Sequence, residues 1–144
     1  MKVFLDTCVW FIAIKNSCGI GGRIVDLGLK DVFYEIVVSK QVSVETARKL
    51  KEKIDISAVQ AFNYIISKRA VEAIAVDEND IEEWRGVISE TDAHVLAATK
   101  KAGADVLVTV DGHFFTPAVK KHFPIQVFKP KDFLEWFEKQ LCKR

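Results

Sequence analysis

Four acids stand where an apolar run of the chain gives way to a helical pattern: Asp6, Glu45, Asp92 and Asp111. Asp6 directly follows Val3-Phe4-Leu5, and Asp111 follows Val106-Leu107-Val108-Thr109-Val110. Glu45 lies early in the helical stretch after the second apolar run, and Asp92 closes Ser89-Glu90-Thr91-Asp92 at the head of an alanine-rich segment. Carboxylates brought together repel unless they are protonated or share a cation. No Lys, Arg or His recurs beside all four in sequence, so a hard divalent ion, Mg2+ or Mn2+, is the simplest partner. Such an ion lowers the pKa of bound water and neutralises charge on a phosphodiester under attack. That chemistry needs neither a histidine base nor a covalent nucleophile, which suits a chain whose histidines are His94, His113 and His122.

Each acid also has a structural role open to it. Asp111-Gly112 is a common turn dipeptide. Glu45 could compensate a helix dipole. Ser89 to Asp92 has the form of a capping box, with Ser89 as cap and Asp92 reaching back. Asp6 is followed by apolar Cys8, Val9 and Trp10 rather than by turn residues. The combination says more than any member, because all four sit beside strand-to-helix junctions that one rim of a sheet could collect.

The elements that must position them are legible as alternating patterns. Nearly continuous apolar runs predict strands over 2–5, 33–38, 71–76, 105–110 and 125–128. Helical spacing predicts helices over 39–53, 57–69, 77–87, 91–102 and 131–141, the fourth stopping at Gly103. The cluster Gly19-Ile20-Gly21-Gly22 reads as a loop after a first helix. Alternating strands and helices imply an α/β fold, a three-layer α/β/α sandwich around a five-stranded, mainly parallel sheet.

The chain has 144 residues, 49% hydrophobic and 28% charged, enough for one domain over residues 1–144 with a core of its own. Its net charge of +1 announces no global basic field, although acids and bases could still be segregated on the surface. Cys8, Cys18 and Cys142 form no zinc pattern and read as free thiols of a reducing cytoplasm, Cys8 buried. The opening MKVFLDT is too short and acidic for a signal peptide, and no stretch is long enough to span a bilayer. A soluble cytoplasmic protein is expected.

Four blocks in order carry a family resemblance: V-F-L-D-T-C-V-W, I-V-V-S-K-Q-V-S-V-E, E-T-D-A-H-V-L-A-A-T and A-D-V-L-V-T-V-D-G-H-F-F. Together they cover nearly the whole chain, which resembles the PIN-domain nucleases, VapC-like toxin ribonucleases among them. The resemblance implies that Asp6, Glu45, Asp92 and Asp111 form an acidic metal site, with Thr109 shaping it and Thr7 orienting Asp6. It implies Mg2+- or Mn2+-dependent cleavage of RNA, a homodimer, and, for a toxin, a small antitoxin that inserts a segment into the acidic pocket. One position departs from the pattern. Where many relatives place a second acid two residues after the strand-end aspartate, this chain has His113. Glu90 could partly compensate for that lost charge. His113, Lys40 and Arg48 are candidates for contacting substrate phosphates, and Trp10, Phe11, Phe114 and Phe115 for stacking on bases.

Rival classes fit less well. A dehalogenase-type phosphotransferase needs a second aspartate at position 8, which is Cys8, and no glycine-rich phosphate loop follows the first strand. The alternative that survives is a non-catalytic PIN-like module that binds RNA or protein.

Overall fold

The computed structural model describes residues 1–30, 33–67 and 71–143. Five strands alternate with helices: β1 (Lys2–Leu5), β2 (Glu35–Ser39), β3 (Val71–Ile74), β4 (Val106–Val108) and β5 (Gln126–Phe128). All pair in parallel, in the order β3-β2-β1-β4-β5. The central strands are buried along their length, Val3 to Leu5 and Val106 to Val108 among the least exposed residues, as a sheet covered on both faces requires. The helices are α1 (Thr7–Lys15), α2 (Ile20–Leu29), α3 (Lys40–Lys53), α4 (Ile56–Ile66), α5 (Glu78–Glu82), α6 (Glu90–Lys101), α7 (Pro117–His122) and α8 (Pro130–Cys142). The three-layer α/β/α expectation holds, and the sheet is wholly parallel.

The chain builds outward from β1 through β2 to β3, then returns to the other side of β1 for β4 and β5. The strand order therefore reverses between β1 and β4. At such a switch point the connections leave in opposite directions and open a crevice beyond the strands' C-terminal ends.

Several elements differ from the sequence reading. The glycine cluster is not a loop. Ile20, Gly21 and Gly22 open α2, which packs on α1. A Cβ on Gly21 would stand 3.1 Å from the backbone nitrogen of Ala13, and one on Gly22 would collide with the carbonyl of Ser17. These glycines are close-approach residues in a helix, bought at the expense of propensity. The helix expected over 77–87 is only α5. It starts on a capping box between Asp77 and Asp80, but Gly86 at φ 82° turns the chain away. The strand expected over 105–110 ends at Val108, leaving Thr109 and Val110 beyond it. The expected strand over 33–38 runs instead from Glu35 to Ser39, and that over 71–76 stops at Ile74. The last residues of the helix expected over 57–69 lie outside the described residues. The helix α7, headed by Pro117 and capped by Thr116, lies outside every helix the sequence predicts.

Candidate functional site

The register of β1 with β4 sets Leu5 opposite Val108, so the next residues of both strands meet. The amide of Asp6 donates to the Val108 carbonyl at 3.1 Å, and the Thr109 hydroxyl donates to Oδ2 of Asp6 at 2.8 Å. Oδ1 of Asp6 accepts from the Thr7 amide at 2.8 Å and caps α1. Both oxygens of this buried side chain are thus held by donors. Burial pushes the Asp6 carboxyl above its ordinary value, against the lowering pull of the Thr109 and Thr7 hydrogen bonds; the nearby charge of Asp111 raises it further and His94 opposes.

Thr109 serves both neighbouring acids. Its fully buried Oγ1 also accepts from the Asp111 amide at 3.1 Å, which places Asp111 beside Asp6 at the strand ends. Oδ1 of Asp111 accepts from the His113 amide at 2.9 Å and starts a short 3-10 helix over Gly112–Phe115. The turn role open to Asp111 is therefore real and uses one carboxylate oxygen.

Glu45 arrives from the neighbouring strand. Ser39 ends β2 and caps α3, its Oγ accepting from the Val42 amide at 3.0 Å, and α3 packs against α1. This brings Glu45 Oε2 within 3.3 Å of the Thr7 hydroxyl, which donates to it. The other oxygen, Oε1, lies 3.5 Å from Nε2 of the buried His94. Asp92, in the first turn of α6, receives a hydrogen bond from the Ser89 hydroxyl at 2.9 Å. The capping box expected there is absent, because the Ser89 side chain caps no backbone amide and binds the Asp92 carboxylate instead.

Asp92 and Asp111 meet through His113. Its Nδ1 lies 3.3 Å from Oδ2 of Asp92 and 3.3 Å from Oδ1 of Asp111. One ligand atom from each of the three falls within 4.8 Å of the others. A continuous network results, Glu45–Thr7–Asp6–Thr109–Asp111–His113–Asp92, in which Asp92, Asp111 and His113 are the tightest cluster.

Among the described residues, none of the four acids pairs with a lysine or arginine. Among those residues, their only ion-pair partners are His94 and His113. Elsewhere the chain pairs its acids freely with cations, as in Lys100–Glu83 and Lys101–Asp80. Two carboxylates about 5 Å apart repel by roughly 3 kcal/mol at an effective dielectric of about 20, less where water screens them. The donor set is hard oxygen plus one imidazole, and it fits a small divalent cation.

The other candidates divide. Thr7 and Thr109 join the network as hydrogen-bond donors. Glu90 is exposed and 3.7 Å from Arg85, so its charge is directed to that side chain. Arg48 pairs with Glu52 on its own helix at 3.5 Å, and Lys40 is an exposed first residue of α3. Trp10 and Phe114 are core residues, Trp10 packing edge-on against Phe62, so neither presents a stacking face. Phe115 is half-buried, with the Lys129 ammonium 5.8 Å from its ring centre.

Two residues that contact the network escape the sequence reading. His94 sits two positions after Asp92, a spacing that does not share a helix face, and reaches Glu45 from a different element. Cys8 is half-buried rather than buried, its Sγ 3.8 Å from Asp6 Oδ2 and 3.6 Å from Thr109 Oγ1. Burial, and then the Asp6 charge, push the Cys8 thiol up, so it stays protonated and donates toward the carboxylate.

No family profile and no curated protein matches the chain. Solved structures do. VapC20 of Mycobacterium tuberculosis, a toxin that cleaves the sarcin–ricin loop, is 21% identical over 78% of this chain and 92% of its own, with a TM-score of 0.62. The chain has the PIN fold. VapBC2 of Rickettsia felis, solved on a DNA fragment from its promoter, is 18% identical over 90% of this chain and 98% of the other, TM-score 0.64. FitAcB of Neisseria gonorrhoeae is 17% identical over 90% and 98%, TM-score 0.59. At these identities the likeness is one of fold, and in this PIN fold the network of acids lies at the reversal of strand order. No helix among the described residues is long and apolar enough to cross a membrane.

Proposed function

We propose that this chain is a divalent-metal-dependent ribonuclease and the toxin of a toxin–antitoxin pair. The observation that carries the reading is the network that links Asp6, Glu45, Asp92 and Asp111 at the switch point of a PIN fold, with Asp92, Asp111 and His113 close enough to share one ion and, among the described residues, no lysine or arginine paired with any of the four acids. Asp92 and Asp111 would hold Mg2+ or Mn2+ directly, with Asp6 and Glu45 completing the acidic set. Bound there, the ion supplies an activated water and neutralises charge on the RNA phosphodiester.

The chain's own groups supply orientation. The Thr109 hydroxyl and the Thr7 amide leave the Asp6 carboxylate little freedom to turn, and the Asp111 amide fixes Thr109 in return. Thr7 and His94 grip the two oxygens of Glu45 from opposite elements. Groups held in this way lose little freedom when they meet a ligand. Lys40 and Arg48, on the helix that carries Glu45, would meet phosphates of the substrate, Arg48 by exchanging Glu52 for one.

The partnerships follow the same reading. The VapBC and FitAcB structures support an antitoxin partner, and a segment of it inserted into the acidic pocket is what the resemblance to PIN-domain toxins implies. A homodimer in the cytoplasm completes the proposal. The imidazole between Asp92 and Asp111 favours one second reading, a PIN-like module that binds RNA or protein without cutting.

Cleavage of a labelled RNA by chelator-stripped protein separates the two. The nuclease reading expects cleavage on addition of Mn2+ and a loss of roughly a hundredfold or more in Asp6→Asn, comparable to the larger effects of disturbing a metal site. Equal cleavage by the variant would point to a contaminant and favour the binding module.

A further inference from the structure

His113 is the third member of the cluster with Asp92 and Asp111, and it brings an imidazole nitrogen beside both carboxylates. The loop backbone is anchored. Phe114 is buried, and the His113 amide donates to Asp111 Oδ1 at 2.9 Å. The ring itself is 72% exposed and could lie in water, yet its Nδ1 faces both Asp92 and Asp111 at 3.3 Å. Atoms that share one small divalent ion at about 2.1 Å each lie about 3 Å apart when adjacent. The separations of Nδ1 from the two carboxylate oxygens, 3.3 Å each, are close to that figure, and the contact with Asp92 is also within hydrogen-bond reach.

We propose that His113 is a metal ligand and sets the metal preference of the site, favouring manganese and the later first-row cations over magnesium. This rests on the metal-site reading above. Magnesium prefers oxygen donors in a near-ideal octahedron and gives up water reluctantly. Imidazole nitrogen gives its advantage to cations further along the first transition row, in the order of affinity such sites follow. A site with His113 therefore discriminates against magnesium more sharply than the same site with a carboxylate in its place. The Ser89 hydroxyl holds the Asp92 carboxylate, and the Thr109 hydroxyl holds the backbone amide of Asp111, whichever side chain stands at 113.

The test is metal binding, read without RNA. Mg2+ and Mn2+ are titrated calorimetrically into the chelator-stripped full chain, its His113→Asp variant and its Asp111→Asn variant, and the Mn2+-loaded proteins are measured by pulsed electron paramagnetic resonance. The wild type should prefer Mn2+ over Mg2+ by a ratio about tenfold larger than His113→Asp does, a change on the scale of other ligand-environment effects. Its manganese should show nitrogen modulation from imidazole, and His113→Asp should lose that signal. Manganese bound without nitrogen modulation, a signal that persists in His113→Asp, or an unchanged preference ratio would overturn the role of His113 and leave the nuclease reading standing. Failure of the wild type to bind either ion, or equal binding by Asp111→Asn, would overturn the metal site itself.

Discussion

Thr109 holds two acids with one hydroxyl, donating to Asp6 and accepting from the amide of Asp111. Its replacement by valine keeps the β-branched shape that a strand end accepts and removes both bonds inside a fully buried position. Thr109→Val is expected to lower stability by about 1–3 kcal/mol, the cost of leaving buried polar partners unsatisfied, and to weaken Mn2+ binding by roughly tenfold. Urea denaturation and calorimetry measure the two separately. Asp6 gives a pH-dependent prediction. Burial is the first cause holding its carboxyl above the unfolded value of 3.8, and the Asp111 charge adds to it. A carboxyl raised in the folded state binds its proton more tightly there. Its favourable contribution is complete below the unfolded value and is lost as pH rises through the raised folded value. In chelator at neutral pH, Asp6→Asn should therefore melt above the wild type, and the gap should close as the pH falls toward 3.8. A gap that widens on acidification would contradict the assignment, and paired melting curves across that range decide it.

At the scale of elements, α1 is the piece that joins the halves of the site, since it starts at Asp6 and Thr7 and packs on both α2 and α3. The turn that leads from it into α2 depends on Gly22. Gly22→Ala should cost about 1–3 kcal/mol, because the added methyl meets the Ser17 backbone rather than a side chain that can swing away. A urea midpoint unchanged from wild type would show that α1 and α2 have room to spare. These glycines also explain what the sequence concealed. A run of Gly19, Gly21 and Gly22 has the local signature of a loop, and only the packed partner reveals why a helix needs it. The central strands β1 and β4 were legible because burial on both faces makes their apolar runs continuous, and Asp6 and Asp111 were legible because they end those runs. Glu45 and Asp92 could be suspected by position alone. The grip of His94 on Glu45 and of Cys8 on Asp6 crosses elements far apart in sequence or turns on side-chain direction, and no local period encodes it. Aromatic residues beside the acids were misleading for the same reason, since Trp10 and Phe114 are turned into the core.

For the whole molecule, the near-neutral total conceals an uneven distribution: 21 basic and 20 acidic residues, with the crevice acids lacking lysine or arginine partners among the described residues. A fold that keeps such a site must do so against internal repulsion, and binding a cation relieves it. Chelator-stripped protein should thus gain stability with Mn2+, by about 2.7 kcal/mol at a hundredfold excess over the dissociation constant. For a chain of this size that is a rise of roughly 5–10 °C in melting temperature, and Asp111→Asn should show little of it. The most direct measurement is anomalous diffraction from a crystal soaked in Mn2+ at the manganese absorption edge. The account predicts a peak in bonding contact with the Asp92 and Asp111 carboxylates, in the crevice between β1 and β4. A well-ordered crevice without such a peak, or with manganese bound only elsewhere on the surface, would contradict it.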